Sequence, residues 1–169
     1  TYRFGDYTIQ NHGDFQTIVF DGTQQYGVVG EPTMPYQQVS LLLPPGTEVS
    51  SVEYIPENEI AVPGKFNLPP VQPDVPISIG STGQHVKKDA VYTLNEAYPQ
   101  KYSSTIATQY LNGYSFALGK FTPVRWNPAT GSLSYFSNIR IVVHYAQTGN
   151  STKAFKNISS SENALLRVR

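Results

Sequence analysis

The 169-residue chain contains no cysteine. That excludes a disulfide framework, a thiolate metal site and a cysteine nucleophile within it. Charge is scarce: Asp, Glu, Lys and Arg make up 14% of the residues, against the ~25% usual in globular domains. The charge present is balanced, 12 basic against 12 acidic residues, so the basic excess or stripe of a nucleic-acid binder is missing. Twelve Tyr and eight Phe set the chain apart from the charged, aromatic-poor sequences that stay disordered. No run approaches the ~18 apolar residues of a membrane-spanning helix. The run Leu41-Leu42-Leu43 is stopped by Pro44 and Pro45. No signal peptide is visible at the start, and Thr1 in place of Met predicts a fragment or a processed product.

What is present favours strands and turns. Gly and Pro, 13 copies each, punctuate the chain, and Tyr is a strand former. Residues 2–4 and 7–9 read as short strands, and 16–20 as a third with Ile18 and Phe20 on one face. Residues 27–35 read as a loop. Residues 38–43 are apolar without alternation, like a strand buried on both faces or a short core segment. Val49, Val52, Tyr54 and Ile55 mark a strand that Pro56 is expected to end. Pro63, Pro69, Pro70, Pro73 and Pro76 predict extended, polyproline-like chain. Residues 80–88 read as an exposed loop, 90–93 and 105–111 as strands, and 95–104 as an irregular loop between them. Tyr114, Phe116 and Leu118 alternate with Ser115 and Ala117, and Gly119 suggests a bulge. Asn127-Pro128-Ala129-Thr130-Gly131 is a tight turn with a glycine for the left-handed position. Ile139, Ile141, Val143 and Tyr145 then mark one face of a long strand. After Gln147 the pattern stops. Residues 148–161 read as a linker, and 161–169 as an irregular tail or a short helix capped by Ser161. The sum is a single all-β sandwich over residues 1–146 and a connector over 147–169.

Candidate chemistry is sparse. His12, His85 and His144 have no ligand spacing with one another, so no metal site is expected. His144 falls on the polar side of its strand, to be solvated or hydrogen-bonded. There is no G-x-S-x-G nucleophile elbow and no phosphate-cradling glycine pattern, so no catalytic residue and no cofactor are assigned. The aromatics fit a core and sheet faces, or a platform for carbohydrate or peptide. Arg125 beside Trp126 invites a cation–π pair.

One ordered set of motifs goes further. Gly30-Glu31-Pro32-Thr33-Met34-Pro35 is followed by Leu41-Leu42-Leu43-Pro44-Pro45-Gly46, then the proline-rich stretch and Tyr98-Pro99. Next come Phe121-Thr122-Pro123-Val124-Arg125-Trp126-Asn127-Pro128-Ala129-Thr130-Gly131-Ser132-Leu133 and Asn138-Ile139-Arg140-Ile141-Val142-Val143. In order and spacing this resembles the gingipain-type propeptide domain, over residues 3–146.

The resemblance implies an antiparallel β-sandwich of jelly-roll character. It implies a non-enzymatic prodomain that keeps a secreted bacterial cysteine peptidase latent, assists its folding and is removed by proteolysis. The partner would be the cognate catalytic domain, with no nucleic acid and no membrane insertion. The chain would be exported, periplasmic and then extracellular or at the cell surface, by the type IX route of Bacteroidetes. Because gingipain-type pockets take Arg or Lys, the side chain that plugs the pocket should be basic. Lys101, in the loop Tyr98-Pro99-Gln100-Lys101-Tyr102, leads; Lys87 and Lys88 are the other candidates. Arg167 and Arg169 are candidate processing sites, Arg169 standing equally as a mere end of the chain. The alternative reading is an adhesion or carbohydrate-binding sandwich of a bacterial surface protein.

Overall fold

The computed structural model describes residues 1–74, 85–111 and 114–147. Ten strands and a single helical turn are described: β1 Tyr2–Arg3, β2 Tyr7–His12, β3 Phe15–Phe20, β4 Gln24–Tyr26, β5 Met34–Leu42, β6 Thr47–Val62, α1 Asp89–Tyr92, β7 Ala107–Leu111, β8 Tyr114–Phe121, β9 Val124–Trp126 and β10 Leu133–Gln147. One sheet runs β1-β10-β6 with β9 also on β10, a second is the β2-β3 hairpin, and a third runs β4-β5-β8-β7. The pairings of β1 and β9 with β10, β2 with β3, β4 with β5 and β7 with β8 are antiparallel. The fold is all-β and antiparallel, as the sequence pattern predicts.

By internal contacts the chain forms two compact units. Among the described residues the first comprises 1–37, 56–74, 85–102 and 122–139. Its core holds Phe4, Ile18, Phe20, Met34, Leu68, Val124, Trp126, Leu133 and Ile139. Phe20 packs against Phe4, Tyr7 and Tyr135 with ring centroids 5.2–6.0 Å apart, the edge-to-face and tilted geometry aromatic quadrupoles favour. Among the described residues the second comprises 38–55, 103–111, 114–121 and 140–147. Val39, Ala117 and Phe121 are fully buried in it, with the Tyr54 ring on Phe121.

The Asn127–Gly131 turn forms as expected. The Asn127 side-chain oxygen accepts from the N–H groups of Ala129 and Thr130, and Gly131 takes φ 71°, where a Cβ is unfavourable. Trp126 is buried, and His144 meets Glu53 at 2.8 Å.

Several local expectations need correction. Pro56 does not end its strand: β6 runs through it to Val62. β6 is the last strand on the β1-β10-β6 path, and an edge strand tolerates a residue without an N–H. Residues 38–43 are not buried on both faces, because Leu41 and Leu42 are exposed. Residues 90–93 are not a strand but largely the turn of α1, held by Tyr92 donating its hydroxyl to the Leu68 carbonyl. Ile141 is half-buried and Tyr145 exposed, so the buried face of β10 is concentrated in its first half. Arg125 does not stack on Trp126; its guanidinium lies 5.8 Å from the Tyr102 ring centroid and 3.5 Å from Glu59.

Candidate functional site

Residues 98–102 lie beside the segment that ends in β9, in the first unit. Tyr98 donates its N–H to the Trp126 carbonyl (2.7 Å) and accepts from the Trp126 N–H (2.8 Å). Thr122 donates its N–H to the Tyr102 carbonyl (2.8 Å). Tyr102 is four residues after Tyr98 and Thr122 four before Trp126, so both clamps belong to one antiparallel register. Pro99, Gln100 and Lys101 stand opposite Arg125, Val124 and Pro123, in that order.

Between the clamps the ladder is interrupted for chemical reasons. Pro99 and Pro123 carry no N–H. The Val124 N–H is taken by the Thr122 hydroxyl at 3.2 Å, not by the Gln100 carbonyl. Thr122 is fully buried, and its hydroxyl spares Val124 the cost of an unpaired donor. Pro99 is buried, while Gln100 and Lys101 are exposed. The Tyr98–Pro99 peptide is cis.

Both flanking tyrosines are also held by their side chains. Tyr98 donates its hydroxyl to Glu31 Oε2 at 2.9 Å. Tyr102 packs edge-on against Phe136, centroids 5.5 Å apart. Glu31 accepts a second, charged bond from Lys88 Nζ at 2.8 Å. Burial raises the Glu31 pKa, but the bonds from Lys88 and Tyr98 and the Lys88 charge outweigh it and hold it below its ordinary value. Burial, followed by the bond to Glu31, pushes the Tyr98 hydroxyl well up. The tether is therefore an ionised carboxylate between a neutral phenol and an ammonium.

This geometry sorts the three candidate lysines. Lys88 is committed to Glu31. The Lys87 ammonium sits 4.5 Å above the Tyr92 ring. Lys101 is exposed and has no hydrogen-bond, ion-pair or ring partner among the described residues. Gln100 donates its side-chain amide to Glu96. Arg167 and Arg169 lie outside the described residues. Glu31 and Thr122 escaped sequence reasoning. Glu31 is 67 positions from Tyr98, and no local pattern encodes so distant a partner. A separate open cleft of about 390 Å³ in the second unit, between residues 49–52 and 103–106, has no ionisable lining residue.

A family model, Propeptide_C25, matches residues 3–166. No curated protein matches the chain. Among solved structures, one reported for the zymogenic latency of gingipain K from Porphyromonas gingivalis superposes with a TM-score of 0.69 at 20% identity, covering 87% of this chain and 85% of that one. A complex of Porphyromonas gingivalis RgpB pro- and mature domains gives a TM-score of 0.62 at 17% identity, covering 94% and 87%. At such identities these likenesses concern the fold.

Proposed function

The chain belongs to the Propeptide_C25 family, and from that premise we propose that it holds a gingipain-type cysteine peptidase latent and assists its folding until proteolysis removes it. The observation that carries this reading is the 98–102 segment, pinned at both ends and unpaired in the middle, with Lys101 free at the unpaired stretch. The unpaired backbone of Gln100 and Lys101 adds to the peptidase cleft as an extended strand, and the Lys101 side chain fills the specificity pocket. Tyr98, Pro99 and Tyr102 frame it. Because the clamps exist before binding, little conformational entropy remains to be lost on docking. Lys87 and Lys88 are the weaker candidates, since each already has a partner. The prodomain supplies no nucleophile; the catalytic His and Cys belong to the peptidase domain.

As the propeptide of a secreted peptidase the chain is exported, and the route proposed is periplasm first, then cell surface or medium. Residues 147–169 serve as the connector toward the catalytic domain, with Arg167 and Arg169 as processing sites. The test is an inhibition titration of the cognate catalytic domain with the 169-residue chain. Nanomolar binding, about −12 kcal/mol, is expected, and no inhibition at micromolar concentration would sink the reading. Lys101→Ala should weaken inhibition roughly 100-fold, a hot-spot loss of about 2.7 kcal/mol. Unchanged inhibition by that variant would remove Lys101 from its role.

A further inference from the structure

With Lys101 in the specificity pocket, the Lys101–Tyr102 bond occupies the place of the bond a peptidase cuts. Taking that reading as given, we infer that the prodomain is built so that this bond is resealed faster than it is hydrolysed.

Consider the chemistry of a cut. The peptidase thiolate adds to the Lys101 carbonyl carbon, and the C–N bond to Tyr102 breaks. The Tyr102 nitrogen leaves as an amine, taking a proton from the peptidase's general acid, and Lys101 remains as a thioester. In an ordinary peptide the amine diffuses away and water completes the reaction, giving a Lys101 carboxylate and the free thiol. Here the amine has nowhere to go. The Tyr102 carbonyl is bonded to the Thr122 N–H at 2.8 Å. Its ring is packed on Phe136 and covered by the Arg125 guanidinium.

The acyl side is held as firmly. Tyr98 is bonded to Trp126 through both backbone groups and to Glu31 through its hydroxyl. Trp126 is 2% exposed and donates its indole N–H to the Phe66 carbonyl at 2.9 Å. Both new ends therefore stay pinned to one buried strand, two clamps four residues apart. Attack of the Tyr102 amine on the thioester restores the peptide bond and the thiolate and needs no other reactant. It is intramolecular and oriented, a setting in which effective molarities of about 10⁵–10⁸ M are reached. Tyr102, Thr122 and Trp126 act as positioning residues, since none of them touches the reacting thiol.

The experiment mixes the 169-residue chain with its own active catalytic domain and follows intact mass over time. The expected result is full inhibition with the Lys101–Tyr102 bond cut at least 100-fold more slowly than in a free peptide of residues 97–105. The isolated chain nicked at that bond, incubated with the peptidase, should regenerate intact chain until both starting forms reach the same ratio. Tyr102→Ala should inhibit at first and then be consumed at least tenfold faster than the parent chain. Cutting of the parent at the free-peptide rate overturns the inference, as does a nicked chain that never reseals. If Tyr102→Ala does not fold, Tyr98→Phe loosens the acyl side instead, and resealing of the nicked parent chain needs no variant at all. Absence of inhibition by the parent chain is a different result: it refutes the plug itself, not its resealing.

Discussion

At the scale of single residues, Trp126 links the site to the core. Its indole N–H satisfies the Phe66 carbonyl, its backbone holds Tyr98, and its ring meets the Tyr92 ring edge-on at 5.6 Å. Trp126→Phe keeps an aromatic ring but leaves a void and a buried carbonyl without its donor. The expected loss is about 2–4 kcal/mol, read by denaturant unfolding in the far ultraviolet; an unchanged midpoint contradicts the assigned role. Glu31 gives a prediction in pH. Its folded-state pKa lies below its ordinary value, so its stabilisation is complete above that ordinary value and is lost as pH falls through the folded one. Acid should therefore loosen the Tyr98 and Lys88 tether, and Glu31→Gln should flatten the acid limb of a stability-against-pH curve as pH falls below the ordinary carboxylate range. An acid limb identical in the variant would show that Glu31 does not act as the tether. Lys101 was legible as a candidate because a basic side chain between tyrosines stands out in the sequence. That Lys87 and Lys88 are already engaged was not legible, since Tyr92 and Glu31 become their partners only through folding.

Elements differ in how much of their structure is local. In β8 and β10, and in the turn at Asn127–Gly131, alternation and turn chemistry lie within a few residues, so the sequence pattern reveals them. β6 could not be read through Pro56, because tolerance of a proline depends on whether that side of the strand has a partner. α1 is one turn long and has no period for hydropathy to report. Gly119 lies within β8, where a further need for glycine comes from a neighbour: a Cβ there would stand 2.6 Å from Ile106 Cγ1 and 3.0 Å from Ile106 Cα. One of those atoms is backbone and cannot swing aside. Gly119→Ala should therefore cost about 1–3 kcal/mol as an overpacking change, seen as a lowered Tm; a Tm equal to the parent's would mean that β8 and residue 106 separate at little cost.

At the scale of the whole molecule, the proposed boundary that bears on activation separates the folded prodomain from a connector over residues 147–169. Strand alternation ends near Gln147, and the residues beyond it are rich in Ser, Thr, Asn and Lys, the composition of a connector. A protease needs several residues of extended, unpaired chain, which strands supply only by local unfolding. Arg125 lies in β9, paired with Glu59 and stacked on Tyr102, and Arg140 lies in β10. Both should be protected. Lys101 is exposed, but it lies between the pinned Tyr98 and Tyr102, so it should be cut more slowly than unpinned chain. Limited trypsin digestion with intact-mass analysis is therefore expected to cut first after Lys153, Lys156 or Arg167, leaving a product that still inhibits the catalytic domain. First cuts at Arg125 or Arg140 would place the boundary elsewhere than Gln147. Loss of inhibition after cuts confined to 153–167 would mean that the connector itself contributes to latency, and that residues 98–102 are not sufficient for it.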